Sequence, residues 1–139
     1  MIEVKFYENK DHYDDVMYVR EDVFIREQGF STDKDEIDNH CTHILFLDDN
    51  KPFATGRIFN EDGDIIIGRV CVLEAYRGKG YGIKIIQELE KKAKERGATS
   101  TILGAQCQAK EFYLKLGYEE FGDIYFDEYC PHIHMRHTF

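Results

Sequence analysis

From Arg77 to Ile83 the chain reads Arg-Gly-Lys-Gly-Tyr-Gly-Ile, with Lys84 next. Glycines at the alternate positions Gly78, Gly80 and Gly82 let the backbone take conformations closed to residues with a Cβ, and let it approach a ligand closely. At the start of a helix, the N–H groups from Gly78 to Ile83, Lys79 and Tyr81 included, would face outward at the positive end of the dipole. Arg77, Lys79 and Lys84 would add cations around them. The chemistry this spacing offers is the binding of phosphate oxygens. A Walker-type loop needs two glycines five apart followed by Lys and Ser/Thr, and a dinucleotide fingerprint needs glycine where Ile83 stands. Neither pattern is met.

Groups able to move protons lie elsewhere in the chain. Glu27, in a Glu-Gln pair after the first predicted helix, is the first candidate for a general base, and His132 or His134 the second; a water chain to a carboxylate is a further route. In a strand the two histidines share a face and could flank a site together. The pair is also a possible metal half-site, with His40 or His43 completing it, but hydrogen-bonded or surface histidines are commoner, and no metal is expected. Asp33, Asp35, Glu36, Asp38 and His40 fall in an irregular acidic stretch between Gly29 and Cys41 that reads as a solvated loop. Cys41, Cys71, Cys107 and Cys130 are scattered without a C-x-x-C pair, which reads as reduced thiols rather than disulfides or zinc ligands.

The elements that must hold these residues follow from periodicity. Ile2, Val4 and Phe6 alternate with polar residues as in a half-buried strand, and Val16, Val19 and Val23 recur at helical spacing from Asp11 to Ile25 or Glu27. Thr42–Leu47 and Pro52–Phe59 read as strands of a meander leading into a buried strand from Ile65 to Val72. The helix after the glycine turn carries Ile83, Ile86, Leu89 and Ala93 on one face and is capped by Gly97. Thr101–Ala105 is a further strand and Gln106–Leu116 a short helix closed by Gly117. The tail runs from Tyr118 to Phe121, through a connecting loop at Gly122-Asp123, to strand material at Ile124–Tyr129 and Ile133–His137. This order implies an α/β fold with a central mixed, mostly antiparallel sheet and helices on both faces.

Composition sets limits on partners. With 139 residues the chain fits one domain, residues 1–139. A formal charge of −9 and a pI of about 5.1 argue against nucleic acid or an anionic membrane surface and favour cationic acceptors such as amines. No apolar run approaches a membrane span and the N-terminus carries no signal-like segment, so a cytoplasmic protein is expected.

The turn with Arg77, Gly80 and Gly82, after Val70 and Val72 and before an amphipathic helix, resembles the acetyl-CoA-binding signature of the GNAT acetyltransferase family. A second stretch, Ala109, Phe112, Tyr113, Lys115, Gly117 and Tyr118, is similar to a run common in that family. VFIREQGF and CPHIHM are similar to its small bacterial ElaA/YjcF-like branch. The resemblance implies an acetyl-CoA-dependent N-acetyltransferase with acetyl-CoA as co-substrate. Val70, Cys71 and Val72 would line the thioester arm through main-chain groups, a Val72 N–H would polarise the carbonyl, and Tyr113 would be the general acid. Alternation puts Cys71 opposite Val70 and Val72, so direct attack by the amine is expected rather than an acetyl-cysteine. The alternative is an acetyl-CoA-binding regulatory module without acceptor turnover. The family commonly dimerises, though nothing in these residues fixes a dimer surface. The acceptor, a small molecule or a protein amine, is left open.

Overall fold

The computed structural model spans residues 1–139. The chain runs β1 (Ile2–Glu8), α1 (Tyr13–Arg20), β2 (Thr42–Asp48), β3 (Lys51–Glu61), β4 (Asp64–Val72), α2 (Tyr81–Glu95), β5 (Ser100–Gln106), α3 (Lys110–Lys115), β6 (Glu119–Asp127) and β7 (Cys130–Thr138). The strands form one sheet in the order β1-β2-β3-β4-β5-β7-β6. Only β4 and β5 run parallel; every other neighbouring pair is antiparallel. The mixed, mostly antiparallel sheet with helices on both faces is therefore as expected.

The nearly unbroken apolar run of β2 is explained by coverage on both faces, because side chains of successive residues point opposite ways. Ile44 and Phe46 meet Ile85, Ile86 and Leu89 of α2, whereas Leu45 and Leu47 meet Val16 and Val19 of α1. Each such side chain, fully buried, contributes about 1.5–3 kcal/mol of hydrophobic free energy. Gly56 lets α2 approach: a Cβ there would stand 2.9 Å from Ile85 Cγ2.

Three elements differ from the sequence reading, each for a local reason. The first helix is α-helical only to Arg20 and continues as π-helical turns over Glu21–Glu27, with Gln28 N–H donating to Val23 O at 3.0 Å. The segment ends with Glu27 against Arg77 and Gln28 against Gln106. β6 runs unbroken through Gly122, whose φ of +74° accommodates an irregularity in register between Phe121 and Tyr125. β7 begins at Cys130 rather than Ile133, directly after the Glu128-Tyr129 turn.

The decisive feature of the sheet is where it comes apart. β4 pairs with β5 only at Ile66–Ile102 and Ile67–Leu103. Beyond them lies a bulge, where Gly56 of β3 faces both Arg69 and Val70 and Arg69 takes a φ of +50°. From Gly68 to Val72 the β5-facing main-chain edge of β4 has no strand partner. No helix is long and apolar enough to cross a membrane.

Candidate active site

Above this divergence the glycine turn opens α2. Gly78 and Gly80 have φ of +75° and +86°, conformations that a Cβ would strain, and Gly80 caps the helix with no side-chain hydrogen bond. No protein group accepts from the N–H groups of Gly78, Lys79, Gly80, Tyr81, Gly82 or Ile83; the first donor after Arg77 is Lys84, to Gly80 O. A run of free N–H groups at a helix N-terminus is suited to oxyanions. They edge a cavity of about 470 Å³ lined by Val70, Cys71, Val72, Arg77, Gly78, Gly80, Tyr81, Gly82, Ile83 and Tyr113. Lys79 lies outside its wall, with Nζ 5.6 Å from the Tyr76 ring centroid.

The main chain of β4 enters this cavity in a definite orientation. Leu73 N–H donates to Phe53 O of β3 at 2.8 Å, so by strand alternation the Val72 N–H points away from β3, into the divergence. Val72 O accepts from Arg77 Nε at 2.9 Å. Val70 and Val72 pack toward α2, while Cys71 packs with Val16, Val19 and Val23 on the opposite face. Burial pushes the Cys71 thiol far up, which keeps it protonated and a poor nucleophile.

On the α1 side of the divergence lies a second cavity of about 220 Å³, touching Arg69, Gly104, Gln106 and His132. Gln28, Val70 and Tyr113 border both cavities. Tyr113 thus stands in the wall between them; burial pushes its hydroxyl up to about 12, so it is a proton donor at neutral pH. His132 is only 8 % exposed, and its Nδ1 lies 2.9 Å from Cys130 O. A carbonyl oxygen can only accept, so Nδ1 carries the proton of the neutral ring, and Nε2 keeps a lone pair with no protein partner. His134 shares that face of β7 but is exposed and touches neither cavity.

The acetyltransferase (GNAT) domain family model matches residues 14–139. This chain belongs to the GNAT acetyltransferase family. Among relatives of this GNAT chain, YjcF of Bacillus subtilis (strain 168), an uncharacterised N-acetyltransferase, is 40% identical over 130 residues, covering 91% of this chain and 93% of YjcF. ElaA of Escherichia coli (strain K12) is 32% identical over 120 residues, covering 81% and 78%. The crystal structure of Escherichia coli ElaA superposes with a TM-score of 0.87 over 99% of this chain and all (100%) of ElaA, at 28% identity. An acyl-CoA N-acyltransferase from Pseudomonas aeruginosa gives 0.90 over 99% and 100% at 23% identity, a likeness of fold.

Not every candidate residue of this GNAT chain lies in the two cavities. Glu27 borders neither; its carboxylate pairs with Arg77 through contacts of 2.5 and 2.6 Å, and the Arg77 hydrogen bond holds it below the usual carboxylate range. Its neighbour Gln28 is the residue at the cavity wall. The Gln28 Oε1 accepts from Gln106 Nε2 at 2.8 Å, Gln106 Oε1 accepts from Gln108 Nε2 at 2.7 Å, and the Tyr129 hydroxyl donates to Gln28 O. The Glu-Gln pair was the available signal, and only the π-helical twist decides which member faces inward.

The acidic stretch is corrected most strongly. It is not a solvated loop: Asp33 and Asp38 are buried, and with Asp35 they bind Arg20, Arg57 and Arg69, the last of which lines the second cavity. Asp38 accepts from Arg20 and Arg57, each at 2.8 Å, and from the Tyr13 hydroxyl at 2.6 Å. Burial works to raise the Asp38 carboxyl, but these hydrogen bonds hold it well below its ordinary range. Asp38, Cys41 and His43 lie close enough together to resemble a metal site. Two guanidinium groups already occupy Asp38, and burial pushes the Cys41 thiol up to about 11, so this donor set is poorly matched to a cation.

Proposed function

We propose that this chain transfers the acetyl group of acetyl-CoA to a primary amine by direct attack in a ternary complex. The observation that carries this reading is the shared wall at Tyr113, with an anion-ready cavity on one side and a cavity holding a free imidazole nitrogen on the other. The pyrophosphate would accept hydrogen bonds from the Gly78–Ile83 N–H groups, and the pantetheine arm would follow the unpaired edge of Val70–Val72. In the reaction the amine nitrogen bonds to the thioester carbonyl carbon and the C–S bond breaks. His132 Nε2 takes the amine proton, the Tyr113 hydroxyl protonates the departing thiolate, and the Val72 N–H stabilises the oxyanion. His132 is preferred over Glu27 as base because Glu27 is committed to Arg77.

The test is calorimetric titration with acetyl-CoA, followed by assay of CoA release with a panel of amines. Gly80→Ala strains the turn, whereas Gly80→Glu also puts a carboxylate among the N–H groups, so binding is expected to fall much further in the second. If neither variant alters binding, the phosphate cradle is wrongly assigned. Tight binding with no transfer to any amine would favour the regulatory-module reading.

A further inference from the structure

Two cavities meet on the α1 side of the sheet at Gly104. The acceptor-side cavity reaches Leu103 and Gly104 from the catalytic end; another, of about 330 Å³, reaches the same two residues from the β3–β4 turn. The far cavity is rimmed by Glu61, Asp62 and Asp64, which carry no ion pair, and it is walled by Tyr125 and His134.

Tyr125 lines the far cavity, and its hydroxyl lies against Gly104, the residue that both cavities reach. On the sheet it lies opposite His132 of β7, whose other neighbour is Gln106 of β5, while Gly104 lies opposite His134. The tyrosine therefore crosses β7 diagonally to reach β5. Its ring stacks on both histidines, with centroids 5.5 Å from His132 and 4.6 Å from His134 and interplanar angles of 26° and 25°. A Cβ on Gly104 would collide with the Tyr125 hydroxyl, so the tip of the side chain rests on the groove floor itself. The glycine is what lets the hydroxyl descend that far, and the two stacked rings hold it there.

We propose, resting on the acetyltransferase reading above, that Tyr125 sets the length limit of the acceptor site and restricts it to compact primary amines. An amine presented to His132 and Tyr113 extends along the β4–β5 seam until it meets the Tyr125 side chain. Long diamines and polyamines are excluded, although Glu61, Asp62 and Asp64 beyond the block would suit a distal ammonium group.

The test measures kcat/KM for unbranched diamines, from ethanediamine to octanediamine, at saturating acetyl-CoA, in the wild type, Tyr125→Phe and Tyr125→Ala. The long-to-short ratio within each protein is the readout, so a general loss of folded enzyme cancels. The wild type is expected to favour the short members, and Tyr125→Ala to raise the ratio by roughly tenfold or more, the scale on which a pocket wall rejects extra methylenes. Tyr125→Phe keeps a ring over Gly104 and should keep the short-chain preference. If turnover is too slow to measure, the same ratio is read by titrating the diamines into CoA-loaded protein. Acetyl-CoA binding with identical length profiles in wild type and Tyr125→Ala, or a wild type indifferent to length, overturns the proposal alone. Loss of acetyl-CoA binding in the wild type overturns the acetyltransferase reading and this proposal with it.

Discussion

Arg77, in the wall of the larger cavity, holds Glu27 with two parallel contacts, while its Nε donates to Val72 O. One guanidinium thereby joins the end of the π-helical segment, the end of β4 and the start of the glycine turn. The pairing neutralises a cation beside the N–H groups proposed to hold the pyrophosphate. Glu27→Gln removes the counter-charge and keeps the shape. Acetyl-CoA is expected to bind about threefold to tenfold tighter, with a steeper salt dependence, because an uncompensated cation near phosphate is screened by ions. Calorimetric titration at low and high ionic strength checks this, and weaker binding in the variant would mean that the pair organises the turn rather than restrains it.

The choice between Glu27 and His132 as base is open to a direct comparison. His132→Gln should lower kcat by roughly a hundredfold, within the usual range for a general base, and abolish the acidic limb of the pH–rate profile. Glu27→Gln should leave that limb in place. Tyr113→Phe should lower kcat on a similar scale without changing acetyl-CoA affinity, since in the proposed reaction its hydroxyl acts only as the thiolate departs. An acidic limb that survives in His132→Gln and vanishes in Glu27→Gln would reverse the assignment.

The backbone of the glycine turn could be read from the sequence because everything it needs is local: consecutive residues set their own conformation, and the free N–H groups follow. Tyr113 could be read only by likeness to a family pattern, since its place between two cavities depends on how far β4 and β5 diverge. The arginine–aspartate network was invisible for a different reason. Arg20 sits in a helical repeat and Arg57 in a strand, where charge normally marks the wet face, and their partners lie 13 to 22 residues away. Buried charge is tolerated only when paired, and pairing is a property of the folded chain. Gly122-Asp123 similarly read as a loop, because a bulge and a turn draw on the same residue types.

The buried network yields a stability prediction. Arg20 is fully buried and binds Asp33 through Nε at 2.5 Å, Asp38 through Nη1 at 2.8 Å and Asp33 O through Nη2 at 2.6 Å. Arg20→Met leaves two carboxylates short of their partner and should destabilise the protein by about 3–5 kcal/mol. Adding Asp33→Asn and Asp38→Asn to the same chain removes the stranded charges and should restore part of the loss. Urea unfolding of the single and triple variants measures both, and a single variant as stable as the wild type would show that these pairs contribute little.

His43 makes stability depend on pH in a range that Asp38 does not reach. Burial holds its imidazole down to about 4, whereas in an unfolded chain it titrates near 6.5. Between these values the unfolded chain binds a proton that the folded chain refuses. Stability therefore rises with pH across this window, is lost on acidification from about 6.5 toward 4, and is constant in this respect above it. The loss is at most about 3 kcal/mol for a shift of that size. Asp38, depressed by its partners, begins to cost stability only below about pH 4, the unfolded aspartate value. Asp33, raised by burial, works against the His43 effect just above that value. His43→Gln isolates the histidine: urea unfolding at pH 7 and pH 4.5 should show a smaller acid penalty in the variant than in the wild type. Equal penalties would mean that His43 is already protonated in the folded protein, with Asp38, 3.7 Å away, as its counter-ion.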